Sequence, residues 1–128
     1  MIEFAVMGTP LSQQASSGRK AAWKSQVAGE ATGASTFGYI CPLRVTLAYF
    51  CPVLGVDIDN IVKPILDAMK GILYQDDRRI VQVHSLAIEF ADAARIANVT
   101  TAIAAGLAGG GDFVLVRVDP ARPTEELL

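Results

Sequence analysis

Two runs rich in branched apolar residues, LRVTLAYF at 43–50 and RIVQVHSLAIEF at 79–90, bracket one acid-rich stretch, DIDNIVKPILDAMKGILYQDD at 57–77. The first run alternates, and both are long enough to be strands. The stretch between them has the period of a helix, so the middle of the chain is constrained to strand, helix, strand. Around this unit, residues 2–8 read as a first strand ended by GTP, LSQQASSGRK as a polar loop, and 19–31 as a helix weakened at Gly29. GASTFGY at 33–39 reads as loop, 91–107 as an Ala-rich helix, AGGGD as a turn, and 113–118 as a last strand before a polar tail at 119–128. This order predicts one α+β domain over 1–128, a single mixed sheet of about four strands packed with two or three helices.

The composition agrees with that size. At 52% hydrophobic and 19% charged, 128 residues build one packed core and neither a disordered chain nor a multidomain enzyme. The net charge of -2 gives no support to a nucleic-acid partner, although local patches matter more than the sum. Cys41 and Cys51 have no His or Cys cluster around them, which argues against zinc and for two small core residues in a reducing compartment. MIEFAVMGTP lacks the basic start and long apolar run of a signal peptide, and 93–108 is too short and too interrupted to span a bilayer. The expectation is a cytoplasmic protein with no membrane partner.

Stepping about 100° per residue through the acidic stretch puts Lys63, Asp67 and Lys70 within roughly 80° of Asp59. Ile61, Ile65, Ala68, Met69 and Ile72 fall on the opposite arc, and Val62, Leu66 and Leu73 flank the polar face. Pro64 has no N–H and is tolerated only in a first turn, so the helix should start near Asn60 or Ile61, with Asp57 and Asp59 just ahead of it and Gly71 as its stop. Taken singly, these residues are ordinary: the aspartates are good caps, and the lysines form surface ion pairs worth well under ~1 kcal/mol. Together they ask for more. If Asp76 and Asp77 return toward Asp57 and Asp59, like charges about 4 Å apart cost on the order of 4 kcal/mol at an effective dielectric near 20. A hard divalent cation reverses that sign, and oxygen ligands are what Mg²⁺ prefers. Carboxylates holding Mg²⁺ beside a lysine suit phosphodiester chemistry. A calcium loop starting at Asp57 fails, because Val62 and Ala68 stand where Gly and Glu are needed. GLAGGGD lacks the Lys-Ser/Thr of a phosphate loop, and His84 reads as a packed or partly exposed strand residue.

The string DIDN-x-x-K-x-x-x-DA-x-x-G-x-x-x-x-DD resembles the signature of the RusA family of Holliday-junction resolvases over residues 56–83. FAVMGTPLSQQ is similar, more loosely, to that family's opening strand, Gly-x-Pro turn and polar loop. The resemblance implies a small α+β domain that works as a homodimer and cuts four-way junction DNA symmetrically with Mg²⁺ or Mn²⁺. It implies that Asp57, Asp59 and Asp77 are metal-binding and catalytic carboxylates, that Lys63 is the catalytic lysine, and that Asn60, Asp67 and Asp76 support the site. A symmetric dimer would match the two equivalent cleavage points of a junction. The phosphate contacts would come from Arg19, Lys20, Lys24, Lys70, Arg78 and Arg79. Where the family often carries basic residues before D-x-D, this chain has CPVLGV. That departure leaves two other readings open: a catalytically inactive DNA- or protein-binding module of the same fold, and a metal-dependent hydrolase of small phosphate esters. The segment 91–107 is read either as apolar dimer surface or as cover for one face of the sheet.

Overall fold

The computed structural model describes residues 1–12, 14–34 and 40–128. Four strands form one mixed sheet in the order β1-β4-β2-β3: β1 is Ile2–Met7, β2 Leu43–Cys51, β3 Ile80–Glu89 and β4 Phe113–Pro120. β4 lies antiparallel to both β1 and β2, whereas β2 and β3 run parallel. Parallel neighbours need a crossover, and here it is the acid-rich stretch, carrying α2 (Val62–Met69). One mixed sheet of four strands packed with three helices is the architecture the sequence leads one to expect.

Side-chain alternation sends two faces of the sheet to different neighbours. On one face Phe4, Val6, Val45, Leu47, Val114 and Val116 pack with Trp23, Val27 and Ala31 of α1 (Ser17–Ala34) and with Ile65, Ala68 and Met69 of α2. Trp23, Val27 and Ala31 recur every four residues and are buried. That stripe carries α1 past Gly29 and Gly33 to Ala34, beyond the end expected at residue 31, because both glycines face solvent and the packed stripe outweighs their roughly 1 kcal/mol each. Of the loop expected at 33–39, Gly33 and Ala34 therefore belong to α1, and 35–39 lie outside the described residues.

Among the described residues, the opposite face is covered at one end only. Phe50, Phe113 and Leu115 pack under Ile103 of α3 (Thr101–Ala108), with Phe90, Ala93 and Ile96 alongside. This corrects the single helix expected over 91–107. The chain forms a 3₁₀ turn at Phe90–Arg95, runs irregularly to Val99, and restarts where the Thr100 hydroxyl accepts the Ile103 N–H at 3.3 Å. A cap of that kind fixes a helix start that Ala-richness alone would place about ten residues earlier. The apolar residues of this segment cover the sheet face. The last strand likewise runs to Pro120 rather than 118, because Asp119 and Pro120 pair with Arg44 and Leu43.

Three details hold the frame. The Glu3 carboxylate on β1 meets Arg117, its direct neighbour on β4, at 2.6 Å. The Tyr49 hydroxyl donates to Asp112 Oδ2 at 2.6 Å, tying β2 to the turn before β4. Burial first, then Asp112, pushes that phenol up to about 12. Cys41 and Cys51 are free thiols, and Cys51 is buried. Among the described residues, no helix is long and apolar enough to cross a membrane.

Candidate active site

β2 ends at Cys51, and the chain crosses an exposed loop to a tight turn at Asp57. The turn is built by Asp57 itself. Its carbonyl accepts the Asn60 N–H at 3.1 Å, Oδ1 accepts the Asp59 N–H at 3.2 Å, and Oδ2 accepts Asn60 Nδ2 at 3.0 Å. An Asx-type turn of this kind needs a short side chain whose acceptor can reach the backbone two residues on. The Ser85 hydroxyl of β3 donates to the Ile58 carbonyl at 3.1 Å, and buried Ile61 pins the other end. The acidic turn is thus fastened to the sheet edge, with the Asp59 residue exposed.

α2 begins at once, with Pro64 inside its first turn as its missing N–H demands. Lys63 Nζ donates to Asp67 Oδ1 at 2.8 Å, and Lys24 Nζ from α1 stands 4.0 Å from Asp67 Oδ2. One carboxylate therefore faces two ammonium groups. Lys63 remains more than half exposed, so the pair contributes little to stability and acts on position instead. The Asp67 hydrogen bond first, then its charge, and at longer range Asp77, hold the Lys63 pKa above the ordinary lysine value.

The helix stops at Lys70, and Gly71 takes φ 83°, a left-handed conformation that suits glycine. Its N–H donates to the Tyr74 carbonyl at 2.7 Å. Tyr74 is buried under the helix, and its hydroxyl donates to the Leu66 carbonyl at 2.5 Å. Burial, then the charges of Asp77 and Asp67, push that phenol far up. This hairpin returns the chain to Asp77. Asp77 Oδ1 is buried with no hydrogen-bond partner, while Oδ2 lies 4.0 Å from Lys70 Nζ. Asp76 is engaged otherwise. It caps the 3₁₀ turn Asp77–Arg79 and accepts from the Arg78 guanidinium at 2.9 Å, which lowers its carboxyl to about 2.

Lys63, Asp67, Lys24, Tyr74, Lys70 and Asp77 thus influence one another, with Asp57, Asp59 and Asn60 at the N-terminal end of α2. Among the described residues no group of three His, Cys, Asp or Glu side chains is placed to hold a metal ion. Asp57 directs both oxygens into its own turn. Of the expected phosphate-binding cations, Lys24 and Lys70 face the acids, while Arg19 and Lys20 stand on the first turn of α1. Lys20 and Lys24 line a cavity of about 300 Å³ between α1 and Asp67. Arg78 folds onto Asp76, and Arg79 donates to the Ile40 carbonyl. His84 is exposed on β3, 3.3 Å from an Arg44 nitrogen.

Three supporting residues escape a reading of the sequence. Ser85 and Tyr74 act through backbone carbonyls, and Glu89 accepts the Leu54 N–H at 3.3 Å. A lone Ser and a lone Glu in the apolar run SLAIEF were the only signals. Comparison with curated proteins gives no match. Residues 9–97 match the profile of the family described as Endodeoxyribonuclease RusA. That span takes in α1, the acidic turn, α2 and β3, the elements that carry every candidate residue described above. On a match over most of its length, the chain belongs to the RusA endodeoxyribonuclease family.

Proposed function

We propose that the protein is a divalent-metal-dependent endonuclease that resolves four-way DNA junctions as a homodimer, each copy cutting one of two symmetric strands. The observation that carries the site is Asp77. Its Oδ1 is buried without a donor while Oδ2 faces Lys70, and the carboxylate lies in electrostatic range of Lys63. Asp57, Asp59 and Asp77 would hold Mg²⁺ or Mn²⁺: their carboxylates are the hard oxygen donors that either ion takes, and Asp57 would have to turn out of its own hydrogen bonds to join them. When bound, the ion polarises the phosphodiester and activates water.

The protein groups do the rest. Asn60 holds the Asp57 carboxylate through Nδ2, and Asp67 orients the Lys63 ammonium and keeps it charged. Lys63 then stabilises the negative charge that grows on the phosphate. Lys24 shares Asp67, so when Lys63 turns to substrate the carboxylate keeps a counter-charge. Asp76, through its cap on the 3₁₀ turn, supports the backbone at Asp77. Arg19, Lys20, Lys24, Lys70, Arg78 and Arg79 contact backbone phosphates, so binding weakens with salt.

Lys63→Gln is expected to slow single-turnover cleavage by roughly a hundredfold. The sign of the Lys63 shift is upward, so the ammonium persists through neutral and mildly alkaline pH and is lost only as pH rises through the raised value. The ratio of wild-type to variant rates should therefore stay level between about pH 6 and 9. A ratio that collapses within that range argues against a charged Lys63.

A second reading, a non-catalytic module that binds DNA or protein, is favoured by the missing grouped metal site among the described residues and by the apolar residues before Asp57. Calorimetric titration with Mn²⁺ separates the two. The nuclease reading expects heat from the wild type and none from Asp59→Asn, and a wild type that takes up no Mn²⁺ favours the module.

A further inference from the structure

We propose that the exposed tip Pro52, Val53, Leu54 and Gly55 is a nucleobase-contacting surface, which packs against an opened base step at the branch point of the DNA. The proposal rests on the nuclease reading of the neighbouring acids. Val53 is 75% exposed and Leu54 53%, although both are large apolar residues and stand side by side. The tip is held at its base. Cys51 is buried with its thiol directed to the Ile88 carbonyl at 3.7 Å, and the Leu54 N–H donates to Glu89 Oε1 at 3.3 Å. Three residues beyond Leu54 stands Asp57, so the tip leads directly into the acidic turn.

Charge decides what the tip can touch. Residues 52–56 contain no cation, and the charged group that holds the tip at its base, Glu89, is acidic. A phosphate finds no donor of charge there. The uncharged faces of bases do find a partner, because apolar side chains such as Leu and Pro wedge between base steps. A branch point supplies such steps. In this arrangement the lysines give salt-dependent affinity, and the tip gives preference for branched over linear DNA.

The test uses a four-way junction with 2-aminopurine at the branch point, and a linear duplex carrying the same label. Wild-type protein without divalent ion should raise the emission severalfold on the junction and little on the duplex. Val53→Ser combined with Leu54→Ser, both at exposed positions, should lose most of that rise and cut the junction roughly tenfold more slowly in Mg²⁺. It should keep the circular dichroism, sedimentation and salt dependence of binding of the wild type. On a junction with mismatched central pairs, already open, its rate should recover to near that of wild type. A double variant with wild-type emission and rate overturns the proposal. So does one whose sedimentation falls to half the mass, because the tip then holds a second copy of the chain. Wild-type protein that raises the emission yet cuts no branched DNA supports the tip and contradicts the nuclease reading.

Discussion

Asp57→Asn is expected to reduce junction cleavage by roughly a thousandfold, about 4 kcal/mol in the barrier. The substitution removes a charge while leaving the local shape. The side-chain oxygen of the new amide can still accept the Asp59 N–H, whereas its nitrogen, if it faces Asn60 Nδ2, loses the second bond. On an exposed turn that loss costs about 0.5–1.5 kcal/mol. Rate and stability therefore separate: single-turnover cleavage should collapse, while the urea midpoint moves only slightly. A variant that cuts within tenfold of wild type would remove Asp57 from the chemistry. A variant that unfolds would show instead that its turn is the main role of the residue.

Phe113→Ala is expected to destabilise the fold by about 3–5 kcal/mol, read as a lower urea midpoint with an unchanged slope. Phe113 is fully buried and lies flat on Phe50, with ring centroids 4.5 Å apart and planes 7° from parallel. Its other side presses on Gly106 of α3, where an added Cβ would overlap the ring. Gly106→Ala should accordingly cost about 1–3 kcal/mol in the wild type, because the ring cannot move without leaving Phe50. In the Phe113→Ala background the same methyl enters the vacated space, so its cost should vanish or change sign. Equal costs of Gly106→Ala in both backgrounds would refute this packing. Both residues lie on the sheet face opposite α1 and α2, so the destabilised variant should still cut DNA at temperatures where it remains folded.

What was legible in the sequence follows the range of the forces involved. The strand period and the stripe on α2 are local patterns, and Pro64 with Gly71 marked the limits of that helix to within a residue or two. The Lys63–Asp67 pair follows from four-residue spacing alone. Interactions between elements were not legible. Lys24 reaches Asp67 only because α1 packs on α2, and Tyr74 reaches the Leu66 carbonyl only because the hairpin folds back under the helix. Ser85 supports the acidic turn because β3 lies parallel beside β2, a pairing no local period specifies. The single helix expected over 91–107 failed for a related reason. Alanine content favours helix at each residue, but the apolar groups at Phe90, Ala93 and Ile96 and those at Ile103 and Leu107 must reach the same sheet face, and a 3₁₀ turn with a fresh start at Thr100 delivers both sets.

Metal-dependent cutting of branched DNA by the Asp57 and Asp77 ends of one stretch is put to the test by incubating the purified protein with a synthetic four-way junction, labelled on each strand in turn, with and without Mg²⁺. Paired cuts on two opposing strands are expected, present with Mg²⁺ and abolished by chelator. An intact junction in both Mg²⁺ and Mn²⁺, or cutting that persists in chelator, would contradict this expectation.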